Sequence, residues 1–330
     1  MTIPSLLESW FIQNQRLLPF RANKDPYRVW ISEIMAQQTQ IDTMIPFYER
    51  WMTKYPTLQK LSEASENDLL KLWEGLGYYS RVRNIYKAIQ MIKMNDYIFP
   101  KELDDIKTLP GIGPYTAAAL ASICFETKSV AIDGNVNRVV SRLFAIQDEQ
   151  GSKNFQNIVT KEMEAWMIEA IPSVFTQAMM ELGALVCTPK NPDCNHCPIQ
   201  KHCSAFETNS ILNYPIKKAS KIKPVLHKKI LFARSNDQKL ALTKDSSDQL
   251  MKGYWRFLEI TEIPEDAIYL GHQHHVFTHL IWELDFYLVE FKNDASLMWF
   301  SPSEIEALPL ITAHRVSYDK FKARIFASGS

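Results

Sequence analysis

The period of the apolar pattern changes once along this chain, and that change restricts the fold more than any other feature. Up to about residue 212, apolar side chains recur every three or four positions, as in PYRVWISEIMAQQTQIDTMIPFYERWMTKY and NDLLKLWEGLGYYSRVRNIYKAIQMIKM. That spacing lays an apolar stripe along a helix. Breakers such as Tyr55-Pro56, Phe99-Pro100 and Ile171-Pro172 separate the segments. Beyond residue 225, KKILFARS, KLALTK, IWELDFYLVEF and LMWF carry strand-forming residues between polar turns. The lysine-rich stretch 213–224, with Pro215 and Pro224, reads as a linker. A helical domain over 1–212 and a smaller β-rich, α/β domain over 225–330 are therefore expected. A chain of 330 residues accommodates both.

Composition narrows function less. With 46% hydrophobic and 22% charged residues, the chain can bury a sizeable core. No apolar run is long enough to cross a bilayer, so no membrane partner is expected. The N-terminal MTIPSLLESWFIQNQ has no basic leader and reads as an amphipathic helix rather than a signal peptide. A cytoplasmic, nucleoid-associated location is expected. Zero formal net charge argues against a protein that coats polyelectrolytes, but not against one that binds DNA through a local basic patch. The lysines at 217, 218, 221, 223, 228 and 229 offer such a patch, or simply a solvated linker.

Glycine is scarce, and four of the ten glycines form two tight pairs, Gly75/Gly77 and Gly111/Gly113. In IKTLPGIGPYTAAA a helix is predicted to end near Thr108 and another to begin near Pro114, where proline suits the first turn. Gly111 and Gly113 let the intervening backbone N–H groups face outward. With the positive end of the new helix they form a site for a phosphate, independent of base sequence. An ordinary helix corner is the plainer alternative. Twenty residues after Gly113, Asp133 stands where the apolar run Val130-Ala131-Ile132 gives way to a helix. It is a natural N-cap, and the N-terminal dipole there favours its ionised form. Glu33 lies on a helix between Val29-Trp30 and Ala36-Gln37. Apolar surroundings raise a carboxyl pKa. Two carboxylates in contrasting environments can divide the roles of acid and anion.

Four of the five cysteines crowd into Cys187-x6-Cys194-x2-Cys197-x5-Cys203. This is no disulfide framework; it reads as a metal site, either zinc or a [4Fe–4S] cluster. Zinc ribbons more often use two separated CxxC pairs, and a single CxxC is present here. Cys124, in AALASICFE, reads as a core residue.

Taken together, the LPGIG hairpin and the aspartate twenty residues on match the signature of the helix-hairpin-helix glycosylase superfamily. Three further segments resemble the MutY-type adenine DNA glycosylases: Trp30-Ile31-Ser32-Glu33-Ile34-Met35-Ala36-Gln37-Gln38-Thr39-Gln40, Gly75-Leu76-Gly77-Tyr78-Tyr79-Ser80-Arg81, and Phe175 through Ala184. The likeness covers nearly all of residues 1–210 and is weaker beyond. It implies a mainly α helix-hairpin-helix fold with a smaller C-terminal α/β, Nudix-like domain. It implies removal of adenine mispaired with 8-oxoguanine or guanine in double-stranded DNA, by a monomer. Glu33 would protonate adenine, Asp133 would stabilise the oxocarbenium-like sugar, and Tyr115 and Asn135 would assist. Gln38, Thr39, Leu76 and Tyr78 would contact or wedge beside the lesion once adenine is flipped out. Gly111 and Gly113 would grip phosphate. The cysteine spacing matches the family's iron–sulfur loop at 187–203, with Lys190, Lys201 and His202 nearby for phosphate.

Relatives of the endonuclease III type carry a lysine at the place of Tyr115, which forms an imine and then cuts the strand. A tyrosine cannot form one, so a monofunctional glycosylase is expected. The C-terminal residues contain no acidic REx2EE-type Nudix box, so no hydrolase activity is expected there. Phe277-Thr278-His279 resembles the family's Phe-Ser-His loop for the oxidised guanine. An endonuclease III-like or thymine-mismatch glycosylase, and a non-catalytic DNA-binding scaffold, are the competing readings.

Overall fold

The computed structural model describes residues 1–218, 222–244, 253–277, 280–291, 294 and 296–327. The chain divides into two compact units, Met1–Ser62 with Lys87–Ser220 and Glu63–Tyr86 with Lys221–Ser330. Helices run in the order α1 (Ile3–Asn14), α2 (Pro26–Ala36), α3 (Ile41–Lys54), α4 (Leu58–Ser62), α5 (Glu66–Leu72), α6 (Ser80–Met94), α7 (Leu103–Lys107), α8 (Pro114–Phe125), α9 (Gly134–Leu143), α10 (Lys153–Met167), α11 (Pro172–Leu185) and α12 (Ser204–Glu207).

In the first unit, α8 is buried nearly all round, from Thr116 to Ile123. Its run of alanines lets neighbouring helices approach closely, so it can serve as a central helix. Helix α9 is two-faced: Val136, Val139, Val140 and Leu143, at helical spacing, join Leu7 and Phe11 of α1, Phe155 and Val159 of α10, and Phe175, Met179 and Leu182 of α11 in one core. The beginning of the expected linker is not loose. Gln150 donates its backbone N–H to the Ile216 carbonyl (2.8 Å), and Arg142 Nε donates to the Tyr214 carbonyl (3.1 Å).

The second unit is a six-stranded mixed sheet: β1 (Val225–Ser235), β2 (Leu240–Thr243), β3 (Arg256–Ile260), β4 (Ile268–Val276), β5 (Ile281–Phe291) and β6 (Met298–Phe300), in the spatial order β4-β5-β1-β3-β2-β6. Strand β1 runs parallel to β5, with Ile230 beside Phe286, and antiparallel to β3. Helices α13 (Pro302–Ala307) and α14 (Thr312–Ile325) follow. The connection 261–267 between β3 and β4 is bend and turn. His314 of α14 is buried and accepts the Phe257 backbone N–H (3.0 Å); burial pushes its pKa down to about 3, so it is a neutral core group. The sequence-based boundaries place 63–86 with the helical domain, but those residues are compact with the sheet. Tyr254 Oη donates to the Leu70 carbonyl (2.9 Å), and Lys71 Nζ donates to that of Leu308 (3.1 Å). Helical periodicity reports that a segment is helical and is silent about which core it joins.

Candidate active site

The hairpin forms where turn chemistry places it. Helix α7 ends at Lys107, Gly111 adopts a left-handed backbone (φ 81°), and α8 begins on Pro114 with Gly113 as N-cap. A β-carbon at Gly111 would strain that backbone. The hairpin and the start of α8, Pro114 and Tyr115, line a cleft of about 1330 Å3 in the first unit. Glu33, Gln38, Thr39, Gly111, Gly113, Tyr115, Asp133 and Asn135, all expected from sequence, line it.

Glu33 sits on α2 at the cleft wall. Tyr115, one residue into α8, donates its hydroxyl to Glu33 Oε2 (3.0 Å). Burial raises the Glu33 pKa to about 7; the Tyr115 hydrogen bond opposes the rise, the Asp133 charge adds to it, and Arg21 opposes it. Near neutrality this carboxyl still holds a proton to give.

Asp133 caps α9. Oδ1 accepts the Val136 backbone N–H (2.7 Å) and Oδ2 accepts Asn135 Nδ2 (2.8 Å). The capping role and the candidate catalytic role thus fall on the same atoms. The helix start acts as expected, since the Val136 N–H favours the anion, but the net shift of the Asp133 pKa is upward. Burial raises it, against the bonds from Val136 and Asn135 and the charge of Arg138. Desolvation outweighs a cap made in so enclosed a place. Asp133 still accepts two bonds where Glu33 accepts one, so hydrogen bonding favours the anion at Asp133.

Sequence reasoning missed the groups that hold this pair in place. Arg138 Nη2 donates to Asn135 Oδ1 (2.8 Å) and to the Gly183 carbonyl (2.7 Å), while its Nε donates to the Cys187 carbonyl (2.8 Å). One turn on, Arg142 Nη1 donates to Cys187 Sγ (3.3 Å) and to the Thr188 carbonyl (2.7 Å). The signal was available: two arginines four apart share one side of α9, away from its apolar stripe. The cysteines are remote from Asp133 in sequence, yet α9 joins the two. Gln177, Glu181, Arg16 and Arg21 were also missed. Glu181 is buried and takes bonds from Arg16 Nη2 (2.9 Å) and Arg21 Nη1 (3.1 Å), which hold its pKa down to about 2 despite burial.

Cys187, Cys194, Cys197 and Cys203 line a cavity of about 30 Å3 together with Val139, Leu182, Ile199 and Phe206. Among the described residues, no three His, Cys, Asp or Glu side chains gather as a single metal ion requires; the thiols instead ring this cavity. Cys124, on α8, is largely enclosed, and burial pushes its thiol up to about 12.

In the second unit, Leu76 is buried and Tyr78 half exposed. Phe277 packs against His275 and Trp282, with ring centroids 4.6 and 4.8 Å away. Thr278 and His279 lie outside the described residues. His272 is engaged by Asp285 (3.0 Å) and Glu283 (2.5 Å). Lys228 pairs with Glu259 (2.7 Å), and Lys223 and Lys229 donate to the carbonyls of Phe277 and Thr261.

Residues 31–165 match the HhH-GPD superfamily of base excision DNA repair proteins. An adenine DNA glycosylase from Buchnera aphidicola subsp. Acyrthosiphon pisum is 31% identical over 97% of this chain and 98% of its own length. Another, from Buchnera aphidicola subsp. Schizaphis graminum, is 39% identical over 69% of this chain and 65% of the relative. The human adenine DNA glycosylase is 41% identical over 60% of this chain and 38% of its own length. The chain thus spans less than two thirds of the latter two relatives. Among solved structures, a thermostable thymine-DNA glycosylase aligns with TM-score 0.55 and 25% identity over 62% of this chain and 94% of that one. Endonuclease III in a trapped DNA covalent intermediate aligns with TM-score 0.51 and 22% identity, over 62% of this chain and 94% of that one, and shares the fold.

Proposed function

Because the chain belongs to the adenine DNA glycosylase family, we propose that it hydrolyses the N-glycosidic bond of adenine mispaired with 8-oxoguanine or guanine in duplex DNA. The observation that carries this reading is the Glu33 carboxyl, raised to about 7 in a cleft it shares with Asp133. Glu33 donates its proton to a ring nitrogen of the flipped adenine. The C–N bond then breaks with its electron pair going to the base, and the sugar is left positive. Asp133, favoured as an anion by its bonds from Val136 and Asn135, stabilises that charge until water adds to the sugar carbon and gives up a proton, which restores the Glu33 acid. Tyr115 orients Glu33, and its hydroxyl offers no amine for an imine, which supports a glycosylase without strand cleavage. Gly111 and Gly113 grip phosphate; Gln38, Thr39, Leu76, Tyr78, Phe277, Thr278 and His279 address the lesion strand.

The test is base release, with strand scission scored separately, from duplexes holding adenine opposite 8-oxoguanine, adenine opposite guanine, thymine opposite guanine, and oxidised pyrimidines. Adenine release without scission is expected. Release of thymine or oxidised pyrimidine alone would replace this reading with the thymine-mismatch or endonuclease III one.

The four thiols fit a [4Fe–4S] cluster: they form an all-sulfur donor set around one apolar cavity. When bound, the cluster cross-links the 187–203 loop. The purified chain is expected to be brown, with iron and acid-labile sulfide in equal amounts, and Cys197→Ser to lose both. Colourless protein with stoichiometric zinc would overturn the assignment.

A further inference from the structure

The loop Gly75–Tyr79 is strained and gripped from two sides. Gly75, Gly77 and Tyr78 all have positive φ (97°, 73° and 49°). For a tyrosine that conformation is costly and persists only where the surroundings impose it. From below, the buried Arg81 donates through Nη2 to the carbonyls of Leu76 (3.2 Å) and Gly77 (3.0 Å), and Trp73 Nε1 also donates to the Gly77 carbonyl (3.0 Å).

The other grip comes from the far end of the sequence, within the same compact unit. Helix α14 starts after Ile311, which has no side chain able to cap it. The capping oxygen is supplied by Tyr79: its Oη accepts the Thr312 backbone N–H (3.1 Å) and shares a hydrogen bond with the Thr312 hydroxyl. The Tyr79 ring lies 3.9 Å from that of Tyr254, centroid to centroid. Arg315, one turn into α14, donates from Nε to Glu74 Oε1 (2.6 Å) and from Nη2 to the carbonyls of Ile305 and Leu308. Glu74 and Tyr79 thus bracket the loop on either side, and both are fastened to α14.

We propose that Tyr79, Thr312 and Arg315–Glu74 form a latch through which the C-terminal sheet unit sets the position of Tyr78, so that these residues determine specificity without touching the lesion. The proposal rests on the function proposed above, because the loop's task is to sense the base opposite adenine. The cap that α14 lacks comes from Tyr79, and the same contact holds the neighbouring Tyr78 in its strained conformation. Releasing the latch lets Tyr78 relax toward ordinary dihedrals, and its alignment with the opposite base is lost first.

The experiment compares adenine release opposite 8-oxoguanine and opposite guanine, under single-turnover conditions, for the full chain and for Tyr79→Phe, Thr312→Val and Thr312→Ser. Amide hydrogen exchange of residues 75–79 is measured in parallel. Loss of the one hydroxyl hydrogen bond in Thr312→Val should lower the preference for 8-oxoguanine about fivefold, and loss of both in Tyr79→Phe should lower it further. Thr312→Ser, which keeps the hydroxyl, should retain it, and exchange in the loop should quicken in the Phe and Val variants alone. An unchanged preference and unchanged exchange would overturn the latch. If the unaltered chain releases no adenine, the proposed function fails by itself, and exchange still decides the latch: faster exchange in Thr312→Val supports it, and equal exchange refutes it.

Discussion

Glu33→Gln reduces adenine release by about a thousandfold or more while leaving affinity for the mispaired duplex intact. Glutamine has the size of glutamate, and its carbonyl can still accept the Tyr115 hydroxyl that now bonds Glu33 Oε2. What it lacks is the proton. The pH profile gives a second reading of the same group. With burial holding Glu33 at about 7, the acid is loaded below that pH and lost above it. Single-turnover release should fall about tenfold per unit on the alkaline side, whereas the residual rate of the variant should show no such limb. Stability follows the same pH course. The folded chain keeps a proton that the unfolded chain releases near the ordinary glutamate value. This contribution is fully present below that value and is lost as pH rises through about 7. Since glutamine does not titrate, the variant should resist urea better than the original at pH 8, by up to about 3 kcal/mol, with no difference near pH 4. Near-normal turnover by the variant would remove Glu33 from the chemistry; equal stability at both pH values would mean that its carboxyl is not desolvated.

The second large effect is expected at a residue with no chemistry of its own. Gly183 of α11 lies against the first turn of α9, where a β-carbon would come 2.5 Å from Asn135 Cβ and 3.1 Å from Asn135 Cα. Neither is the free end of a flexible side chain, so Gly183→Ala must push the backbone of α9. That turn carries the N–H and the amide that hold Asp133, and the Gly183 carbonyl itself anchors Arg138. Overpacking of this kind costs about 1–3 kcal/mol. A shift of about 1 Å in a catalytic group costs about a hundredfold in rate. Urea denaturation and single-turnover release, measured on the same preparation, should show both losses. A Gly183→Ala chain with unchanged rate would show that the position of Asn135 is not set by this helix crossing.

The sequence by itself determined whatever depends on near neighbours in the chain. The hairpin is local because two glycines and one proline prescribe its dihedrals, and the Asp133 cap because a carboxylate three residues before Val136 reaches its N–H. The period of the apolar pattern separated helices from strands, and the cysteine spacing marked the four thiols that share a cavity. Glu33 was legible for the same reason, since its helical neighbours are apolar. Only the tertiary structure decided quantities set by chain segments far apart. The pKa of Asp133 rises because remote helices enclose it, which no cap motif announces. Residues 63–86 join the sheet unit because Tyr254, Leu308 and Thr312 supply their partners. Arg138 and Arg142 connect Asp133 to the cysteine loop only because α9 and α11 cross at Gly183. Capping and periodicity act over a few residues and can be read from spacing; desolvation and close packing depend on which distant surfaces meet, and those meetings exist only in the folded chain.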